Sequence, residues 1–340
     1  MKQPLVSVIV PAYNAGRHIQ ETIASVLLQS YRNIELIIVD DGSRDNTALI
    51  VKKYLDYDNR VHYIYQENEG QAAARKRGFE HSQGDLISFL DSDDLFALNK
   101  IEIQVRFMLD NPNCGVSYSD ILHFWDNTPH ILLRKKLTYY SGYIFDKLIR
   151  ENVIQVMTAL IRRDVLIKYG LPGKEFRRSD DWYLWLNLSY HKVKFCFLDR
   201  ILAFQRRHEA GSLSDQKTYF KETAERNIAI YKHFKALLNT EECKKYNIDN
   251  LLNFWQFRVV LGSLIMEDRI HAKKALQLFK IKGIFDGIKK CSLFILLCLV
   301  PVHVLGNMIY KLREFTRRRT FIPVTDTTIT LPTVSSLVLS

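Results

Sequence analysis

The sequence predicts an α/β fold in which a mainly parallel, twisted sheet carries helices on both faces. Two observations lead to this prediction. Apolar runs of strand length alternate with segments of helical periodicity through the first 95 residues, an alternation typical of parallel strands joined by helices. Acidic residues also follow two of the predicted strands at their C-terminal ends, where open α/β sheets form their ligand sites.

The composition is that of a folded protein of enzyme size. The 340 residues are 47% hydrophobic and 25% charged, which supports one large core or a catalytic domain with an appendage and excludes a disordered chain. Five cysteines stand far apart without a Cys-x-x-Cys pair, so we expect reduced, buried thiols. The residues before the first apolar run are too few for a signal peptide. The sequence therefore places the enzyme-like part in the cytosol.

Four strands and three connecting helices are predicted in order along the first 95 residues. The strands cover residues 6–10, 36–39, 61–65 and 86–90, and the helices cover residues 19–27, about 46–54 and about 71–84. Asp40 and Asp41 follow the second strand, and three carboxylates follow the fourth. The carboxyl ends of parallel strands meet at one edge of a sheet, so these acidic groups predict one crevice.

The acidic cluster after the fourth strand contains the pair Asp91 and Asp93. Side chains at positions i and i+2 of an extended segment point the same way, so this pair is suited to holding one hard divalent cation through oxygen. Such a cation binds a diphosphate. The alternative is an ordinary polar turn, with Asp94 at the N-terminus of a helix beginning near Leu95.

Four motifs together resemble the successive signatures of family 2 glycosyltransferases. They are Val-Ser-Val-Ile-Val-Pro-Ala-Tyr-Asn (6–14), Ile-Ile-Val-Asp-Asp-Gly-Ser (37–43), Asn-Glu-Gly-(x)3-Ala-Arg (68–75) and Phe-Leu-Asp-Ser-Asp-Asp (89–94), which contains a DXD motif. They occur in family order, and the resemblance covers about residues 5–215. It implies a GT-A, Rossmann-like fold that binds a nucleotide-sugar donor, together with an inverting transfer.

The resemblance also implies roles for individual residues. The residues that it places beside the nucleoside or diphosphate of the donor are Pro11, Ala12, Tyr13, Asn14, Arg75, Asp91 and Ser92. It also gives Asp41, with Asp40 next to it, contact with the base. Asp91 and Asp93 would hold Mg²⁺ or Mn²⁺. Taken singly, each position has an ordinary alternative, such as a core tyrosine, a polar turn or a solvated arginine.

Residues 96–215 form the predicted acceptor half of the domain. We expect a helix at about 99–108, strands at 116–119, 156–161 and 195–198, and a short helix that ends at Gly170. Residues 120–150 show no firm period, and we assign them to the acceptor side. The segment from Ser179 to Leu186 resembles the family's Glu-Asp-x-x-Leu-Trp helix start, with aspartate at position 180.

This second acidic pair supplies the candidate base. Inversion requires a group that takes the proton of the acceptor hydroxyl, and Asp181 suits that role, with Asp180 positioning it. The alternative is that both residues only cap a helix. Further on, residues 204–212 resemble the family's arginine-x-histidine closing loop. The resemblance makes His208 a third metal ligand or a phosphate contact and lets Arg206 or Arg207 face the diphosphate. The alternative is an ordinary surface histidine with neither role.

The C-terminal third carries the net positive charge. Residues 216–340 have 20 basic and 10 acidic side chains, whereas residues 1–215 have 28 and 27. We expect a helical region at 216–319, with helices at 219–234, 250–266 and 272–279, and a poorly ordered tail at 320–340. No nucleic-acid-binding module accompanies the basic residues, so an anionic membrane surface is the predicted partner rather than nucleic acid.

A membrane-associating segment is predicted at about 289–311. Its apolar stretch, 291–310, has the length of a membrane span. Because basic residues flank it on both sides, we favour a helix lying in the cytoplasmic leaflet over a span, with a buried helix as the third possibility. The predicted location is the cytoplasmic side of the cell membrane.

Two classes of function follow. The first is an inverting glycosyltransferase that moves a sugar from a nucleotide diphosphate donor, such as a UDP-sugar, to a hydroxyl of a growing glycan, free or lipid-linked, in cell-surface polysaccharide synthesis. The alternative is a non-catalytic subunit that binds the nucleotide-sugar within a membrane glycan-synthesis complex. A nucleotidyltransferase would need a glycine-rich phosphate loop near the N-terminus, and residues 11–16 do not supply one.

Overall fold

The computed structural model describes residues 3–135, 137–173, 176, 179–208, 217–278, 308–309, 321–324 and 331. Two compact units make up the chain. The first unit contains Met1–Arg207 with Ile322–Ser340, and the second contains His208–Phe321.

The described strands of the chain join in one sheet. They are β1 (Val6–Ala12), β2 (Ile34–Asp41), β3 (Val61–Gln66), β4 (Leu86–Phe89), β5 (Leu95–Phe96), β6 (Val116–Trp125), β7 (Thr128–Lys135), β8 (Leu160–Arg162), β9 (Phe195–Arg207) and β10 (Phe321–Pro323). The order is β10-β7-β6-β8-β4-β1-β2-β3, and β9 pairs with both β5 and β6. Strands β1 to β4 and the pair β6–β9 are parallel, while β5, β7 and β8 pair antiparallel.

Helices join the parallel strands, as the alternating pattern predicts. In the first unit they are α1 (Ile19–Leu27), α2 (Thr47–Tyr57), α3 (Gln71–His81), α4 (Lys100–Asp110), α5 (Phe145–Leu148), α6 (Arg163–Tyr169) and α7 (Asp180–Tyr190). The predicted α/β class, with a mostly parallel sheet, is confirmed.

The two faces of β1 pack against different helices. Val8 and Val10 share a buried core with Ile23 of α1 and Val51 of α2. On the other face, Gly78 of α3 comes so close that a Cβ at this position would lie 2.4 Å from Cγ2 of Ile9. Glycine is therefore needed at position 78 for α3 to approach the sheet. The helices thus cover both faces, as predicted.

The register of the parallel strands brings their C-terminal ends together. Pro11 is opposite Val39 and Ala12 is opposite Asp40, while β4 runs beside β1 on its other edge. The loops that follow β1, β2 and β4 therefore leave the same edge of the sheet. This edge carries the acidic motifs.

Several boundaries differ from the prediction. Strands β6 and β9 are much longer than the runs at 116–119 and 195–198, because a register shift between Ser119 and Ile121 lets the pair continue through the irregular sequence. Residues 204–207 are consequently strand rather than loop. A 3₁₀ turn at Val156–Thr158 replaces the first half of the strand expected at 156–161.

The second unit is helical in its described residues. Its helices are α8 (Lys217–Leu237), α9 (Thr240–Tyr246), α10 (Ile248–Ile265) and α11 (Arg269–Leu278). Ala224, Val260 and Leu276 belong to a buried core shared by α8, α10 and α11. No helix in the described part of the chain is long and apolar enough to cross a membrane. The predicted membrane segment at 289–311 lies outside the described residues, apart from 308–309, and so does most of the tail at 320–340.

Candidate active site

The loop after β1 is tied to the loop after β2. Asn14 has a left-handed backbone, with φ of 48°. Its backbone N–H donates to Oγ of Ser43 at 2.9 Å, and its side-chain oxygen accepts from the backbone N–H of Arg44 at 2.8 Å. Pro11 and Ala12 belong to β1 itself and are buried, whereas Tyr13 is half exposed. Of the predicted nucleoside contacts, Tyr13 and Asn14 thus remain accessible.

The two carboxylates after β2 organise neighbouring backbone. Asp40 accepts from the Ser43 N–H at 2.8 Å and from the Tyr63 hydroxyl at 2.7 Å. Asp41 accepts from the N–H groups of Glu69 and Gly70, both at 2.8 Å. Both carboxylates are buried. Asp41 therefore holds the loop that leads into α3, and its predicted contact with a base stays a prediction.

The acidic cluster after β4 is a tight turn. The N–H of Asp94 donates to the carbonyl of Asp91 at 3.1 Å, so the extended geometry used to predict the pair of Asp91 and Asp93 is wrong. The alternative, in which a helix begins near Leu95, is wrong as well, because β5 begins there. The turn still brings the carboxylates together. The pKa of Asp91 is raised overall, because burial and the charge of Asp93 raise it by more than Arg75 lowers it.

Two side chains hold this turn in place. Oγ1 of Thr22, on α1, lies 3.0 Å from the carbonyl oxygens of both Ser92 and Asp94. Arg206 donates from Nε to the carbonyl of Asp93 at 2.9 Å, and its backbone N–H donates to Asp94 at 2.8 Å. The turn is thus fixed from a helix on one side and from a strand on the other.

Arg206 is itself buried and paired. It forms ion pairs with Glu21 at 2.5 Å and Asp126 at 2.8 Å, and its guanidinium stacks on the ring of Phe124. Arg206 therefore supports the acidic turn from behind. Arg207 is the last residue of β9, and the contact of either arginine with a diphosphate stays a prediction. The charge of Arg207 acts to lower the pKa of buried Asp94, although burial leaves that pKa raised overall.

Arg75 connects the two acidic motifs of the chain. Its Nη2 donates to Oδ1 of Asp91 at 2.6 Å, and its Nη1 donates to Oδ2 of Asp180 at 2.5 Å. Burial would lower the pKa of Arg75, but the charges of Asp180, Asp91 and Asp181 raise it above its ordinary value. Asp180 thus has an ion-pair partner in addition to its place at the start of α7, and Arg75 is not a solvated helix charge.

Asp181 lies at the start of α7, next to Asp180. It accepts from the side-chain amide of Asn152 at 3.0 Å and from the Trp182 N–H at 2.7 Å. Burial and the charge of Asp180 raise the pKa of Asp181 to about 6, although Arg75 and the two hydrogen bonds lower it. A carboxylate with this pKa is ionised near neutral pH yet basic enough to accept a proton.

The tryptophans of the same motif anchor α7. The indole N–H of Trp182 donates to the carbonyl of Leu148 at 2.7 Å, and that of Trp185 donates to the carbonyl of Ile154 at 3.0 Å. Both rings are buried. Because these bonds flank Asn152, they hold its amide beside the carboxylate of Asp181.

A small pocket opens on this group. Its walls include Arg75, Asp180 and Asp181 together with the apolar side chains of Phe89 and Leu184. His208, the predicted third metal ligand, is the residue directly after β9, and its ligand role stays a prediction.

The acidic turn offers carboxylate oxygens, the type of ligand that a hard divalent cation takes. The hydrogen bonds that Asp91 accepts from Gln71 and Arg75 both go to Oδ1, which leaves Oδ2 for another partner. The turn and the start of α7 together hold five carboxylates, at positions 91, 93, 94, 180 and 181. Carboxylate oxygens are the ligands that Mg²⁺ and Mn²⁺ prefer. The surplus of negative charge also contributes to the raised pKa values of Asp91 and Asp94.

Sequence reasoning missed three residues of this site. Thr22, Gln71 and Asn152 lie outside the acidic motifs, and their types are common on helices and loops. Asn152 lies just after the segment without a firm period, so the neighbouring sequence does not identify it as a site residue. Only its hydrogen bond to Asp181 identifies it.

Comparison with known proteins identifies similar sequences. A family model described as Glycosyl transferase family 2 matches residues 7–170. TuaG of Bacillus subtilis (strain 168), a glycosyltransferase assigned to teichuronic acid biosynthesis, is 38% identical over 188 residues, which are 55% of this chain and 72% of TuaG. WfgD of Escherichia coli, a UDP-Glc:alpha-D-GlcNAc-diphosphoundecaprenol beta-1,3-glucosyltransferase, is 35% identical over 191 residues, covering 55% of this chain and 71% of WfgD.

Solved structures show the same fold. S. aureus TarS 1-349 in complex with UDP-GlcNAc matches with a TM-score of 0.56 and 16% identity, over 93% of this chain and 92% of that one. The mannosyltransferase PcManGT from Pyrobaculum calidifontis, in complex with GDP-Man and Mn²⁺, matches with a TM-score of 0.55 and 16% identity, over 94% and 88%. At this identity the likeness concerns the fold, and it confirms the predicted GT-A type architecture.

Proposed function

Because the chain belongs to glycosyl transferase family 2, we propose that it transfers a sugar from a nucleotide diphosphate donor to a hydroxyl of a growing cell-surface glycan, with inversion. One observation supports this proposal above the others. Arg75 joins Asp91 of the predicted donor site to Asp180, beside the candidate base Asp181. Donor groups and base thus lie within one cluster, as a single displacement requires.

Asp181 is the base in this proposal. Its carboxylate takes the proton of the acceptor hydroxyl as that oxygen attacks the sugar carbon, and the diphosphate leaves from the opposite side. Asn152 and the Trp182 N–H orient the carboxylate, and the pKa of about 6 keeps it ionised at neutral pH. Asp180 and Arg75 set the charge around it.

Asp91 and Asp93 would hold Mg²⁺ or Mn²⁺. Such a cation supplies positive charge against the departing diphosphate. Arg206 and Thr22 fix the turn that carries the two carboxylates. Pro11, Ala12, Tyr13, Asn14, Asp40 and Asp41 surround the nucleoside in this proposal, with Ser92 and Arg207 at the diphosphate.

A UDP-sugar is the proposed donor and a lipid-linked glycan the proposed acceptor. TarS was crystallised with UDP-GlcNAc, and WfgD is named for a UDP-Glc donor and a diphosphoundecaprenol acceptor. We assign residues 1–215 to the catalytic domain and residues 216–319 to a region that associates with the cytoplasmic side of the membrane. The basic charge of that region supports this assignment.

The non-catalytic alternative is not favoured. A subunit that only bound the donor would have no use for a base, yet Asp181 lies beside the donor motif in a setting that raises its pKa. Donor hydrolysis in the absence of acceptor distinguishes the two functions, because only an active enzyme releases sugar from the donor.

Calorimetric binding of UDP-, GDP- and TDP-sugars, with Mn²⁺ and with a chelator, tests the proposed donor site. We expect one donor to bind in a metal-dependent manner and Asp93→Ala to abolish that binding, since it removes one of two proposed ligands. Asp110→Ala is the control, because Asp110 is an exposed residue at the end of α4. Equal binding by wild type and Asp93→Ala would contradict the proposal.

A further inference from the structure

The guanidinium of Arg75 is divided between two sites of different function. One nitrogen binds Asp91, at the turn after β4, and the other binds Asp180, at the start of α7. The side chains of Arg75 and Asp180 are each 8% exposed, so water screens this pairing weakly. The two carboxylates belong to segments far apart in sequence, and Arg75 bridges them.

The shape of the arginine head makes this division possible. A guanidinium is a rigid, planar fork that donates in two directions at once, whereas a lysine ammonium is a single point charge. Each carboxylate therefore has its own nitrogen of Arg75. The two share one positive charge, so a change of charge at one carboxylate alters the attraction between Arg75 and the other.

We propose that Arg75 is a positioning residue that couples occupancy of the donor site at Asp91 to the placement of Asp180 and Asp181 at the start of α7. This inference rests on the proposed function, because it takes Asp91 as part of the donor site. Arg75 pairs with both carboxylates. A cation at the turn would offset the charge of Asp91, so the attraction of Arg75 to Asp180 would strengthen and hold the start of α7 in place.

The coupling has a chemical use. A base that is placed before the donor binds has no sugar to which the activated hydroxyl can be joined. A base that is placed as the donor binds activates a hydroxyl only when a sugar is present. Coupling between two sites is reciprocal in free energy. A change at Asp180 must therefore alter donor binding at Asp91, although Asp180 is not a proposed ligand.

A double-mutant cycle measures this coupling through binding rather than turnover. The probe is UDP with Mn²⁺. Calorimetry measures its affinity for wild type, Asp180→Asn, Arg75→Lys and the double variant. In Asp180→Asn the charge that offsets Arg75 is lost, so Arg75 neutralises Asp91 more fully and weakens its attraction for the cation. We expect the affinity to fall by about fivefold or more. In the Arg75→Lys background the same change should alter affinity by less than about twofold.

The controls separate coupling from structural damage and from direct charge effects. Arg77→Lys places the same substitution at an exposed position of α3 and should leave the affinity unchanged. Asp180→Glu restores a charged partner for Arg75 and should recover most of the affinity that Asp180→Asn loses, even if Arg75→Lys fails to fold. A direct charge effect of Asp180 would be the same in both backgrounds.

The outcomes are distinct. If Asp180→Asn lost equal affinity in the wild type and in the Arg75→Lys background, the coupling would be overturned while the donor site stayed intact. Failure of Asp180→Glu to recover affinity would overturn it too. Absence of UDP binding in the wild type would overturn the proposed function itself, and the coupling with it.

Discussion

At the scale of single residues, Asp181 is the group whose surroundings matter most. Burial and the neighbouring charge of Asp180 favour its protonated form, while Arg75 and the hydrogen bonds from Asn152 and Trp182 favour its ionised form. The balance leaves a carboxylate that is more basic than an exposed aspartate. Opposing influences of this kind are typical of acid–base groups in active sites.

Asp181→Asn should abolish transfer while preserving the donor site. An amide cannot accept the proton of the acceptor hydroxyl, and loss of a general base costs about a hundredfold or more in rate. Binding of UDP with Mn²⁺, measured by calorimetry, should stay close to that of wild type. Asp164→Asn, at an exposed position of α6, is the control for both measurements. Transfer near the wild-type rate in Asp181→Asn would exclude Asp181 as the base.

The rate of transfer should rise as the pH increases through about 6. The base works only when deprotonated, and the pKa of Asp181 lies near 6, so activity is present above this pH and lost below it. In Asp180→Asn the acidic limb should move to lower pH, because the charge that raises the pKa of Asp181 is gone. The measurement is a pH–rate profile at saturating donor. An unmoved limb would show that another group sets it.

At the scale of elements, α3 has to lie close against the sheet for Arg75 to reach both carboxylates. Gly78 permits that approach, because a side chain there would meet Ile9 and Val39. Gly70, with φ of 92°, starts the helix in a conformation that other residues rarely adopt. The position of Arg75 thus depends on two glycines, one at each end of the same helix.

Gly78→Val should destabilise the protein. The new Cβ would lie 2.4 Å from Cγ2 of Ile9, and overpacking of this kind costs about 1–3 kcal/mol. Thermal unfolding should show a lowered Tm. Arg77→Val is the matched control, because it places the same β-branched residue at an exposed position of α3. Equal Tm values for the two variants would contradict the packing argument.

At the scale of the whole molecule, charge and chemistry are separated along the chain. The acidic site lies in the first unit, while the excess of basic residues lies in residues 216–340. Basic side chains next to an apolar stretch suit an anionic lipid surface. A lipid-linked acceptor would then be presented to the enzyme at that surface.

Deletion of residues 289–340 should abolish association with anionic vesicles and transfer to a lipid-linked acceptor. Because the proposed site lies within residues 1–215, binding of UDP with Mn²⁺ should persist. Deletion of 320–340 alone is the necessary control, since β10 extends the sheet beside β7 and Val324 donates to the carbonyl of Leu132. Vesicle sedimentation measures association. If the longer deletion still sedimented with vesicles, the membrane role of this region would be wrong.

Local sequence patterns were enough to establish the α/β class and the order of the acidic motifs. Strand and helix periods are local properties of the chain, so β1 to β4 and their helices were predicted near their observed positions. Residue type also marked Asp91, because a carboxylate at a strand end stands out in sequence, whereas Asp181 was marked by the resemblance of its segment to the family's helix start. The long strands β6 and β9 were only partly predicted, since a register shift interrupts the period.

The way these groups meet depends instead on contacts between distant segments. The turn at Asp91, the hydrogen bond from Asn152 to Asp181 and the bridge formed by Arg75 each require backbone geometry or distances that no local period contains. Arg75 and Asp180 are 105 positions apart, and no local pattern encodes that contact. It arises because parallel strands bring their C-terminal ends to one edge and close packing at Gly78 seats α3 against the sheet.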